Sequence, residues 1–204
     1  MGVRHVLLDA DGVLQRHPGG FVDVARRLLG GTTDERLVAA FEAEAPYLTS
    51  GGDFPAALGE RLRTFGVRTP LLELHRQVWL TIEVDPVVVD LVRGLRSAGH
   101  AVHLATNQHQ HRAAYMRDEL GYDELFDSCW YSCEVGAAKP SPDYFTAVLA
   151  GLGATAGECL LVDDSRPNID TARGLGMAAE QWTTRDGHEA LRKALARHGL
   201  LSAE

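Results

Sequence analysis

Two aspartates separated by one alanine, Asp9 and Asp11, follow directly on the apolar run Val6-Leu7-Leu8 and are closed off by Gly12. Side chains alternate along a strand, so residues two apart point the same way. If strand geometry persists to the tip, both carboxylates enter one small region. There their charges repel unless a proton or a cation sits between them. Further along, the apolar run that ends at Ala105 is followed by Thr106 and Asn107. The segment GAAKP carries Lys139, and the run Leu160-Leu161-Val162 ends in Asp163, Asp164 and Ser165. These carboxylates, with hydroxyl and amide neighbours, suit a hard divalent cation, Mg2+ above all. The cation would neutralise the acidic cluster and leave a site able to receive a phosphate.

For these residues to meet, the segments that carry them must be neighbouring strands of one sheet. Apolar residues at 3–4 spacing predict helices over 21–29, 34–45, 55–65 and 70–80, separated by the turn clusters GGTT, TSGGD and GVRTP. Pro86 opens a further helix that stops before Gly99. Strand and helix then alternate: strand 101–105, helix about 110–120, strand-like SCWYSCEV over 128–135, helix 143–153, strand 158–164, helix 168–176, strand 177–182 and a closing helix from His188. The alternation predicts an α/β fold, a Rossmann-like parallel sheet with helices on both faces. The helical stretch after the first strand reads as a small cap, giving a core of residues 1–15 and 84–204 and a cap of 16–83. In such sheets ligands bind beyond the carboxyl ends of the strands, which is where every residue named above falls.

Composition narrows the function classes. The 204 residues are 45% hydrophobic and 24% charged, as in an ordinary globular protein that holds one domain with an insert. A formal net charge of −8 argues against a nucleic-acid or anionic-membrane surface. No apolar stretch reaches the ~18 residues of a membrane span. The first residues run straight into a strand without a signal-peptide core, so a cytoplasmic location is expected. Cys129, Cys133 and Cys159 lack a second pair to complete a metal clip and read as reduced structural cysteines. Of the 20 basic residues only Lys139 and Lys193 are lysine, which makes a lysine inside GAAKP conspicuous.

DADGV, ATN, KPSPDYF and LVDDS, in that order, resemble the four-motif set of the haloacid dehalogenase superfamily, and the helical insert is similar to that family's type 1 cap. The resemblance covers nearly the whole chain and is to the phosphatase branch. It implies an aspartyl-phosphate mechanism, with Asp9 as nucleophile and Asp11 as general acid and then base. It implies that Thr106 and the backbone near Asn107 hold phosphoryl oxygens, and that Lys139 pairs with Asp9 and the transferring group. The implied Mg2+ ligands are Asp9, the backbone carbonyl of Asp11, Asp164 and Asp163 beside it. The family often has a further acid several residues later, where this chain has Asn168 and Ile169.

Simpler roles compete. Asp-Gly is common in turns, and Thr106, Asn107, Asp163 and Asp164 could cap helices. His109 and His111 flank the second motif and read as solvated or substrate-edge residues. Arg16 and His17, in the link to the cap, are candidates for touching substrate. Trp79, Trp130 and Trp182 are expected to serve the core. The expected function is a Mg2+-dependent phosphatase for a small phosphorylated metabolite, such as a sugar phosphate, working as a monomer or homodimer without nucleic-acid or membrane partners. The alternatives are a phosphomutase, a dehalogenase and a non-catalytic binding protein of the same fold. A dehalogenase has no need of an acid at Asp11.

Overall fold

The computed structural model describes residues 2–30 and 34–201. The first strand, β1 (His5–Leu8), continues into a tight turn in which the N–H groups of Val13, Leu14 and Gln15 all donate to the Ala10 carbonyl at 2.8–3.2 Å. Gly12 makes this turn possible: its φ of +83° is open to glycine and strained for other residues. A short strand β2 (Gln15–Arg16) then leads to four helices, α1 (Phe21–Leu28), α2 (Asp34–Glu44), α3 (Phe54–Arg63) and α4 (Leu71–Trp79). The chain returns along β3 (Glu83–Val84), which pairs antiparallel with β2.

The rest alternates. α5 (Pro86–Ser97) starts where Asp85 accepts hydrogen bonds from the N–H groups of Val87 (2.9 Å) and Val88 (3.3 Å). β4 (Ala101–Thr106), α6 (Gln110–Asp118), the one-turn α7 (Tyr122–Leu125), β5 (Ser128–Tyr131), the one-turn α8 (Ser132–Val135) and α9 (Pro142–Leu152) follow. β6 (Cys159–Asp163), α10 (Arg166–Gly174), β7 (Ala178–Gln181) and α11 (His188–Arg197) complete the core.

The main sheet is parallel, in the order β5-β4-β1-β6-β7. Its central strands are covered on both faces, which explains why they read as continuous apolar runs. Val6, Leu8, Leu104 and Val162 pack with α5 and α11 on one face, whereas Leu7, Ala105 and Leu161 pack against Tyr144 and Phe145 of α9 on the other. The inserted helices bury a cluster of their own around Phe54, Leu58, Leu74 and Trp79. Trp182 is also buried, and Trp130 is partly so against the second face.

The strand expected over 128–135 ends at Tyr131. There Ser132, fully buried, accepts a hydrogen bond from the Gln108 N–H at 2.9 Å and the chain winds into α8. A buried hydroxyl that satisfies the tip of β4 diverts the backbone, a demand that local apolar pattern does not reveal. Among the described residues no helix is long and apolar enough to cross a membrane.

Candidate active site

The carboxyl ends of β1, β4 and β6 lie side by side, and their tips enclose a cavity of about 370 Å3 bordered by Asp9, Asp11, Thr106, Asn107, Lys139 and Asp164. Lys139 is the hub. Its ammonium, 1% exposed, lies 3.0 Å from Asp9 Oδ1 and 2.6 Å from Asp163 Oδ2. Asn107 fixes the lysine's backbone from both sides: its amide donates to the Lys139 carbonyl at 2.7 Å and accepts from the Lys139 N–H at 2.9 Å. Thr106, 1% exposed, accepts from the Gln108 side chain at 2.9 Å and keeps its own O–H proton available to donate.

The doublet at the end of β6 divides its work by strand alternation. Asp163 is fully buried, and its other oxygen, Oδ1, accepts from the Ser165 N–H and the Asn168 amide, both at 2.9 Å. Asn168, standing where the family often has an acid, thus supports Asp163. Asp164 is exposed to the cavity. Asp9, Asp163 and Asp164 each offer an oxygen within 4.8 Å of the others. Burial pushes the Asp9 carboxyl up to about 7 despite Lys139, and burial together with the neighbouring Asp163 raises Asp164. Three hard oxygen donors in a site that penalises their negative charge fit a divalent cation of the Mg2+ type.

Asp9 and Asp11 border the same cavity but answer to different partners, because strand geometry stops at Leu8 and the turn swings Asp11 towards the insert. Arg112 of α6 clamps Asp11 with two hydrogen bonds, Nη1 to Oδ2 at 2.5 Å and Nη2 to Oδ1 at 2.8 Å. Gln15 adds one to Oδ1 at 3.0 Å and Gln108 one to Oδ2 at 2.9 Å. Burial alone would raise this carboxyl, but the guanidinium and the two amides outweigh it and hold it near 2. Arg112 also donates from Nε to the Trp79 carbonyl, the last residue of α4, at 2.7 Å, so one buried side chain ties Asp11 to the insert. Nothing in the local sequence around Arg112 announces this role; the arginine lies 101 positions from its partner.

A larger cleft of about 980 Å3 opens beside Asp11 and Asp164, between the insert and the core. His17 lies on its wall, yet both ring nitrogens are taken: Nε2 meets the Gln77 carbonyl at 2.7 Å and Nδ1 accepts from the Gly19 N–H at 3.1 Å. Arg16 pairs with Glu83 at 2.7 Å. His109 is not a solvated residue. It is fully buried, caps α6 through the Arg112 N–H at 3.3 Å and packs against Phe54 of the insert at 4.5 Å between centroids. His111, with its side chain 44% exposed, stays at the rim.

The sequence profile of the haloacid dehalogenase-like hydrolases matches residues 3–176. The chain belongs to this family. Relatives include the bifunctional riboflavin kinase/FMN phosphatase of Arabidopsis thaliana, 27% identical over 84% of this chain and 46% of the relative. A D-ribitol-5-phosphate phosphatase of Bacteroides thetaiotaomicron is 27% identical over 54% of this chain and 57% of the relative. The matches span about half the length of these relatives. In fold, the chain superposes on a HAD family enzyme of Bacteroides thetaiotaomicron with a TM-score of 0.78 at 19% identity, covering 94% of this chain and all of that one. A crystal form of a HAD family enzyme from the same organism holds magnesium and inorganic phosphate (TM-score 0.72, 21% identity, 88% and 94% coverage). The L-2-haloacid dehalogenase of Xanthobacter autotrophicus shares the fold at a TM-score of 0.66 and 19% identity, over 98% of this chain and 85% of that one.

Proposed function

We propose that this protein is a Mg2+-dependent phosphatase that hydrolyses a small phosphorylated metabolite, a sugar phosphate or similar monoester, through an aspartyl-phosphate on Asp9. The observation that carries this reading is the Lys139 ammonium held between Asp9 and Asp163 at the edge of a cavity that Asp164 and Thr106 also line. Asp9 and Asp164 would hold the cation together with the Asp11 carbonyl, and Asp163 chiefly orients Lys139. When bound, the cation offsets the carboxylate charges and favours a phosphoryl group in the cavity. The named phosphatases among the relatives support the same class.

On this reading an Asp9 oxygen attacks phosphorus, the bond from phosphorus to the ester oxygen breaks, and the leaving alkoxide takes up a proton. Water then attacks phosphorus of the acyl phosphate, releasing inorganic phosphate and restoring the Asp9 carboxylate. Lys139, the Thr106 hydroxyl and the backbone N–H at Asn107 stabilise the equatorial oxygens. Asp11 is the proton carrier, but in this arrangement it is an ionised acceptor of four hydrogen bonds. As substrate enters, a loosening of the Arg112 clamp lets Asp11 take up a proton from solvent, pass it to the leaving alkoxide and take one back from the attacking water. The protein works on free small molecules as a cytoplasmic monomer or homodimer.

The test is hydrolysis of an aryl phosphate by purified protein with Mg2+, with chelator, and for Asp9→Asn. Turnover that needs the metal and falls by orders of magnitude in the variant supports the mechanism. Full activity in excess chelator, or a near-normal kcat for Asp9→Asn, refutes it. A phosphomutase would show itself by needing a bisphosphate activator.

A further inference from the structure

The cleft of about 980 Å3 shares Asp11, Asn107 and Asp164 with the catalytic cavity, so the body of a substrate whose phosphate sits at Asp9 lies within it. Its charged lining is almost entirely committed. Arg16 is paired with Glu83, Arg112 with Asp11, and Asp85 with His188 at 2.8 Å. Asp164 faces the proposed cation, and burial pushes Glu44 up to about 7. Arg185 is different: it is exposed, lines the cleft, and has no hydrogen-bond or ion-pair partner among the described residues.

The turn that carries Arg185 is fixed to the catalytic strand. Thr183 and Asp186 close it by a reciprocal cap, with the Thr183 N–H donating to Asp186 at 3.0 Å. The Thr184 N–H donates to the Gly12 carbonyl at 2.9 Å, one residue from Asp11. On its outer side the buried Trp182 donates to the Gly187 carbonyl at 3.0 Å. The turn is held at a set place relative to the nucleophile, and the uncommitted guanidinium that it carries, with Thr184 beside it, is a ready two-pronged partner for an oxyanion. It belongs to the core, so it keeps its place relative to Asp9 however the helical insert moves.

We propose that Arg185 forms a distal subsite for a second anionic group, so that the preferred substrate is a phosphomonoester ending in a carboxylate or a second phosphate. This rests on the phosphatase reading and adds a substrate class to it. The experiment measures kcat/KM for matched phosphomonoesters of three to six carbons ending in a hydroxyl, a carboxylate or a phosphate, with wild type, Arg185→Ala and Arg185→Glu. Wild type is expected to favour an anionic end by about tenfold, as a charge-assisted pair allows. Arg185→Ala should bring that ratio near one, mainly through KM, and Arg185→Glu should invert it. The carboxylate and phosphate arms show which anion is read. Hydrolysis with no anionic preference, or with the same preference in Arg185→Ala, overturns the subsite and leaves the phosphatase reading standing. If wild type hydrolyses nothing in the panel, the phosphatase reading fails and the subsite fails with it.

Discussion

Replacing Arg112 by methionine keeps the length of a buried side chain and removes its charge and its donors. Three groups lose a partner: the Asp11 carboxylate, the Gln108 amide oxygen and the Trp79 carbonyl. The fall of the Asp11 pKa from the ordinary 3.8 to about 2 corresponds to ~2.5 kcal/mol at 1.36 kcal/mol per unit. The Asp11 side chain is 45% exposed, and solvent screening lowers that figure to roughly 1–1.5 kcal/mol. The stranded Trp79 carbonyl adds roughly 1–3 kcal/mol, so Arg112→Met should lose about 2–4 kcal/mol in urea unfolding at pH 7. The charge contribution should also appear as the coupling in a double-mutant cycle with Asp11→Asn, of about 1–1.5 kcal/mol. A depressed carboxyl pKa stabilises above the unfolded value, so the coupling is complete above pH ~4 and fades as pH falls towards about 2. A loss under ~1 kcal/mol would refute the tie that Arg112 makes between Asp11 and the insert, and additive single variants at pH 7 would refute the charge pair.

Other outcomes follow from single contacts. Lys139→Arg keeps the charge but puts a wider planar group between Asp9 and Asp163, so its kcat should fall nearly as far as that of Lys139→Ala, whereas Lys193→Arg on α11 should match wild type; a Lys139→Arg kcat within a few-fold of wild type would show that charge alone suffices. In Gly12→Ala the new Cβ would lie 2.6 Å from Asp164 Oδ2, displacing that flexible carboxylate, so the Mg2+ concentration for half-maximal rate should rise several-fold; an unchanged metal titration would remove Asp164 from the ligand set. Glu44 has a folded pKa of about 7 against an ordinary 4.5, so the native state holds its proton longer than the unfolded chain and stability drains away as pH rises between those values. Glu44→Gln should therefore stabilise by roughly 2–3 kcal/mol at pH 8 and hardly at all at pH 4, read as Tm at each pH; an equal effect at both would refute it.

The carboxylate cluster was legible because Asp9, Asp163 and Asp164 stand at the ends of apolar runs, and a parallel sheet brings such ends together. Helix positions were legible too, since the insert and α5 carry apolar residues at 3–4 spacing, with Pro86 marking a start and Gly99 an end. What the sequence does not carry locally depends on contacts between distant segments. Asp163 and Asp164 are chemically identical in sequence, and only strand alternation, with Lys139 on one side and the cavity on the other, gives them separate duties. Asp11 was expected to share Asp9's surroundings, and the three bonds to the Ala10 carbonyl turn it away. His109, at the start of a helix, reads as a solvated or substrate-edge residue, yet the partner that buries it is Phe54, brought in by the insert.

The two-rung ribbon of β2 and β3 has a bearing on how such proteins diversify. Gln15 pairs with Val84 and Arg16 with Glu83, and the Asp85 N–H meets the Leu14 carbonyl at 2.8 Å, so the chain leaves the core and re-enters it at one spot. Seen from the sheet, everything between Arg16 and Glu83 is a plug on a two-pin socket. A lineage, or an engineer, could exchange that plug for another length or architecture without disturbing the strand order or the Lys139–Asp9 pair. Such a graft would have to reconnect Arg112, whose Nε needs a carbonyl where Trp79 now supplies it, and refill the places that Phe54 takes against His109 and the Gly52 N–H takes on Gln110.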